Sequence, residues 1–121
     1  MQKAEELAPE AGVLERHFLY QTKIQTYYPS RDVDDFALPL AIEACEQQID
    51  MSADAANAFK RQYDMGLPAH VGYQQLAIIR EKQAGFEAAI TLSNKALLEG
   101  WAGDRGNRIE RCKKKLAKVQ T

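Results

Sequence analysis

Few side chains in this chain of 121 residues could serve as nucleophile, general base or metal ligand: His17, His70, Cys45, Cys112 and scattered carboxylates. Catalysis needs such a group held beside a partner, and a metal needs several ligands at short, regular spacing. The sequence has neither pattern. It contains no HExxH, CxxC, phosphate-loop or GxSxG motif, and Gly100, Gly103 and Gly106 are separated by Trp101 and charged residues that suit caps and turns. His70 stands between Pro68 and Tyr73, where it could cap a helix or face a ligand; an ordinary helix-start histidine is the simpler reading, and the same holds for His17. Cys45 and Cys112 read as small buried thiols in a reducing compartment, with a redox pair as the alternative. No enzymatic activity, no cofactor and no metal is expected.

Charge is the next chemical signal. From Arg105 onward there are seven Lys/Arg against one acid, and before it nine against sixteen, so the parts carry +6 and −7 within a net charge of −1. Arg105, Arg108, Arg111, Lys113, Lys114, Lys115 and Lys118 could grip phosphates. Ile109, Cys112 and Leu116, however, fall at i, i+3 and i+7 and give the same segment an apolar face to dock. Docking with a solvated basic outer face is the expectation. The acidic Asp32, Asp34 and Asp35 would equally attract this helix from another copy.

Helices must position these residues. Hydrophobic content of 45% with 27% charge, seven glycines and four prolines describes one all-α domain, large enough for its own core. Residues 1–12 are polar and expected to fray. Leu14, Phe18, Ile24 and Tyr28 recur at helical spacing from Val13 to Tyr28, stopping at Pro29-Ser30. Phe36, Leu38, Ala41, Ile42, Cys45 and Ile49 predict a second helix ending near Met51, capped by Asp34 or Asp35, with Pro39 in its first turn. A third helix should run from an N-cap at Ser52 to Asp64, burying Ala55, Ala56, Phe59 and Tyr63. Met65-Gly66-Leu67-Pro68 breaks the chain, Pro68 suits the first turn of the next helix, Ala84-Gly85 makes a turn, and Gly100 forms a left-handed cap. A capping helix over 107–119, with Glu110 as capping-box partner of Asn107, brings the expected number to about six.

The segment from Leu67 to Trp101, LPAHVGYQQLAIIREKQAGFEAAITLSNKALLEGW, places Tyr73, Leu76 and Ala77 on one helix facing Phe86, Ala89, Ala96 and Leu97 on the next. This pattern resembles one tetratricopeptide repeat of about 34 residues. Three positions depart from it: Arg80 replaces an aromatic, Ser93 replaces a bulky residue, and Gly100-Trp101 replaces a helix-ending proline. Ala41-Ile42 is a weak echo of Ala89-Ile90. The resemblance implies antiparallel helix hairpins stacked as a short tetratricopeptide-like superhelix, with ligand-facing positions at Val71, Gln74, Ile78, Glu81 and Lys82. Gln74 and Ile78 stand where a subset of the family has a lysine and asparagine that clamp a C-terminal carboxylate, so chaperone-tail binding is not expected. Trp101 should cover the junction between hairpin and last helix, its N–H on an orphan carbonyl.

The functional expectation is therefore a non-enzymatic scaffold that binds a protein or peptide segment in a groove. The alternative is a small nucleic-acid-associated regulator using the basic C-terminal helix, although a net charge of −1 gives little field to attract a polyanion. Pairing of two copies through the exposed end of the stack also stays open. No apolar run approaches the roughly 18 residues of a membrane span, and the first residues lack the apolar core of a secretion signal; a cytoplasmic location is expected.

Overall fold

The computed structural model describes residues 9–63, 66–103 and 105–120. Among them lie six α-helices: α1 (Pro9–Tyr27), α2 (Ala37–Asp50), α3 (Ser52–Gln62), α4 (Val71–Lys82), α5 (Phe86–Glu99) and α6 (Arg105–Gln120). A single 3₁₀ turn, Tyr28–Ser30, follows α1, and two very short strands, β1 (Leu67–Ala69) and β2 (Trp101–Ala102), flank the α4–α5 hairpin. The chain is all-α in class. None of these helices is long and apolar enough to cross a membrane.

Each helix buries the stripe its period dictates. Ala37, Ala41, Ala44, Cys45 and Gln48 of α2 are buried at i, i+4, i+7, i+8 and i+11, and Ser52, Ala55, Ala56 and Phe59 repeat the pattern on α3. Small residues let backbones approach, so α1 packs on α2, α3 and α4, while α5 packs between α4 and α6. One core cluster gathers Leu14, Phe59, Leu67, Tyr73 and Trp101; a second gathers Ile24, Ala44, Cys45 and Leu76. On α6, Ile109 and Cys112 are buried and Leu116 half-buried, so this basic helix docks as expected.

Several local expectations are corrected. Helix α1 begins at Pro9, so residues 9–12 are helical rather than frayed; residues 1–8 of that expected fray lie outside the described residues. Pro68 does not open a helix. The residue before a proline favours extended backbone, and Leu67 pairs in parallel with Trp101 and Ala69 with Ala102, tying together the two ends of the hairpin. Ser52 is not an N-cap, because its hydroxyl turns inward to the Tyr73 hydroxyl at 3.1 Å. Neither Asp34 nor Asp35 caps α2: Phe36 is the N-cap and has no side-chain cap bond, while Asp34 Oδ1 accepts the Phe36 N–H at 2.9 Å in the preceding turn. Helix α6 starts at Arg105, which removes Asn107 and Glu110 from the capping box. Phe36, at 74% exposure, with Tyr63 and Leu97, faces outward instead of joining the buried stripes. The turn falls at Ala84-Gly85 as expected, with Ala84 at φ 61°, and Gly100 (φ 91°) forms the expected left-handed cap.

Candidate functional site

The site is organised by α4, whose N-terminus is anchored inside the protein. The first N–H groups of a helix have no intrahelical acceptor, and two here are met by side chains. His70, the N-cap, accepts the Tyr73 N–H on Nδ1 at 3.0 Å, and Gln48 Oε1 accepts the Gly72 N–H at 2.7 Å. Gln48 Nε2 also donates to the His17 carbonyl at 3.0 Å, so one buried amide of α2 clamps α1 to α4. A Cβ on Gly72 would stand 2.7 Å from Gln48 Oε1, which explains the glycine in the first turn of this helix.

Rings close the core around this anchor. His17 stacks on Trp101 with centroids 5.7 Å apart and contacts Phe59 and His70 edge-on. Glu99 bridges Tyr73 and Trp101, accepting the Tyr73 hydroxyl at 2.9 Å and the Trp101 Nε1–H at 2.9 Å. Trp101 therefore packs against His17 of α1 and Phe59 of α3 rather than over the expected junction with α6, and its N–H meets a carboxylate in place of the orphan carbonyl. His17 is 1% exposed, and burial holds its pKa down to about 4. Burial also pushes the Cys45 thiol up to about 12, with the nearby Glu46 charge adding to it, and raises Cys112. Both cysteines are buried free thiols.

The outer face of α4 meets α1 across a cleft of about 340 Å³ lined by Ile24, Gln25, Tyr28, Pro29, Val71, Gln74, Gln75 and Ile78. A second cleft of about 230 Å³, lined by Tyr28, Arg31, Asp32, Leu38, Ile79, Lys82 and Gln83, shares the Tyr28 wall. The Arg31 guanidinium lies 4.0 Å from the centre of the Tyr28 ring, and Lys82 Nζ donates to the Tyr28 hydroxyl at 3.3 Å. Tyr28 is therefore held as a partition between the two. Gln75 Nε2 is buried and has no hydrogen-bond partner among the described residues.

Of the positions expected to face a ligand, Val71, Gln74 and Ile78 come together in the first cleft, and Lys82 lies in the second. Glu81 does not join them. It turns to α6, where Arg108, Arg111 and Lys115 donate to it at 3.1, 2.7 and 3.0 Å. The Arg111 hydrogen bond, followed by that of Lys115, holds the Glu81 carboxyl down to about 2 against its partial burial. Ile24, Gln25, Tyr28 and Pro29 were not anticipated as lining, since their partnership with α4 is a long-range contact with no local periodic signal; the Tyr27-Tyr28-Pro29 run was the one available hint. Comparison with known proteins found no matching family model, no matching curated protein and no matching solved structure.

Proposed function

We propose that this chain is a non-enzymatic, tetratricopeptide-like helical scaffold of the cytoplasm that binds an extended protein or peptide segment in the cleft between α1 and α4. The observation that carries the reading is Gln75, whose buried Nε2 lacks a partner in a cleft walled by Ile24, Val71, Ile78 and Pro29. An unpaired buried amide costs about 1–3 kcal/mol. Once the Gln75 amide turns into the cleft, a backbone carbonyl of an extended segment supplies the missing acceptor, Gln74 offers a second amide beside it, and an apolar side chain of the same segment fills the space against Ile24 and Ile78. Lys82, across Tyr28, is placed to pair with an acidic residue further along. A groove on two packed helices binds without itself paying ordering entropy. Neither His17 nor His70 lines either cleft, which accords with a role in packing.

The test is selection from a random-peptide display library on the full chain, subtracted on a Gln75→Leu, Ile78→Asp double variant whose fold is checked by circular dichroism. Peptides that bind the wild type and lose at least about tenfold in affinity for the variant are the expected result. Enrichment of no peptide, or peptides indifferent to the variant, contradicts the proposal. Nucleic-acid binding through α6 has less in its favour, because three of its seven cations are engaged with Glu81.

A further inference from the structure

The opposite face of α4 holds a third, chemically different recess. It has a volume of about 160 Å³ and lies where α4, α5 and α6 meet, lined by Tyr73, Gln74, Ala77, Ser93, Gly103, Asn107, Arg108 and Arg111. We propose that this recess binds a tetrahedral oxyanion of the phosphate class through the Ser93 hydroxyl and the Arg108 guanidinium.

Four observations converge on it. Ser93 is 2% exposed, faces the recess, and makes no hydrogen bond among the described residues, not even back to its own helix as Thr22 and Thr26 do. Its Oγ is open to the recess, and an anionic acceptor is the partner such a hydroxyl gains most from. Arg108 engages Glu81 through Nη1 alone, so most of its five N–H donors remain for a ligand. Two arginines and no carboxylate stand among the described lining residues. Gly103 and Asn107 bring the opening of the 16-residue α6 to the same wall, where the helix dipole favours negative charge.

Geometry narrows the class. Ser93 on α5 and Arg108 on α6 reach the recess from different helices, and donors in different planes suit a tetrahedral group better than a flat carboxylate. A recess comparable to the roughly 150 Å³ cavity that takes one benzene ring has room for a single anionic group, not for a whole nucleotide. The recess is separate from the α1–α4 cleft apart from Gln74, so its test leaves Gln74 untouched.

The experiment is an amide NMR titration of the full chain with inorganic phosphate, against chloride at matched ionic strength, repeated with phosphoserine. Saturable shifts centred on Ser93, Gly103, Asn107 and Arg108 are expected with phosphate and absent with chloride. Ser93→Ala should keep or raise thermal stability, since alanine is the better helix former, while weakening phosphate binding about tenfold. Ser93→Leu, which fills the space with a good helix former, should abolish it, and Arg108→Gln should weaken it at least as much as Ser93→Ala. Tighter binding of phosphoserine identifies a phosphomonoester as the natural group, and equal binding identifies the free ion. Absence of saturable shifts with both probes, or binding unchanged in Ser93→Ala and Arg108→Gln, overturns the proposal.

Discussion

His17 shows how a single residue ties this fold to pH. Its imidazole is sealed between α1 and the Trp101 ring, and burial lowers its pKa from 6.5 to about 4. An unfolded chain therefore takes up a proton between these values that the folded chain refuses. Stability is fully present above pH 6.5, falls as pH drops from 6.5 towards 4, and levels off below; the loss amounts to about 3 kcal/mol. Urea unfolding at stepped pH should reveal this slope, and His17→Phe, which keeps a ring against Trp101, should flatten it. A slope surviving in His17→Phe places its origin elsewhere. Gly72 is the second sensitive residue. Gly72→Ala drives a methyl into Gln48 Oε1 and disturbs the bond that clamps α4, so a loss of about 2–3 kcal/mol is expected, measured as a lower urea midpoint at unchanged m-value. A midpoint unchanged by this substitution would mean that the Gln48 clamp yields freely.

At the scale of elements, α6 is held both by its apolar stripe and by the Glu81 cluster. Glu81→Gln keeps the shape and removes the charge that three cations share. It should cost about 1–2 kcal/mol and speed tryptic cleavage at Lys113 and Lys114. Because the folded pKa of Glu81 is depressed to about 2, its contribution is complete above about pH 4.5 and is lost as pH falls from there towards 2. This window lies below that of His17, so wild type should lose stability in two acid steps and Glu81→Gln should lack the lower one. The existence of each helix was legible in the sequence because apolar spacing is a local property: Ala41 and Cys45 on α2, or Ile109 and Cys112 on α6, announce their faces without knowledge of a partner. Helix starts were less legible. Ser52 was drawn from its expected cap into the core by Tyr73, a residue on another helix, and Leu67-Pro68-Ala69 became a strand because Trp101 and Ala102 lay within pairing distance.

For the molecule as a whole, the sequence indicated which face of α4 to watch but not what stands opposite it. Val71, Gln74 and Ile78 were legible from helical period and family resemblance, whereas Ile24, Tyr28 and Pro29 enter the cleft only once α1 has folded across α4. Glu81 shares that helix, yet the cations of α6 capture it, a competition no local pattern encodes. Ser93 carried its signal openly: a small polar residue where the resembled repeat has a bulky one leaves both space and an unpaired hydroxyl. Among the described residues, recesses on opposite sides of α4, one amide-lined and apolar, the other basic, are the contact surfaces we propose.

The most direct measurement is an amide and methyl NMR map of the full chain titrated with a peptide enriched by display on the wild type. Saturable shifts are expected at Ile24, Tyr28, Val71, Gln74, Gln75 and Ile78, weakened by Gln75→Leu, with little change at Lys113 and Lys114. Shifts centred on α6, or no saturable shift in the α1–α4 cleft, would contradict peptide binding there.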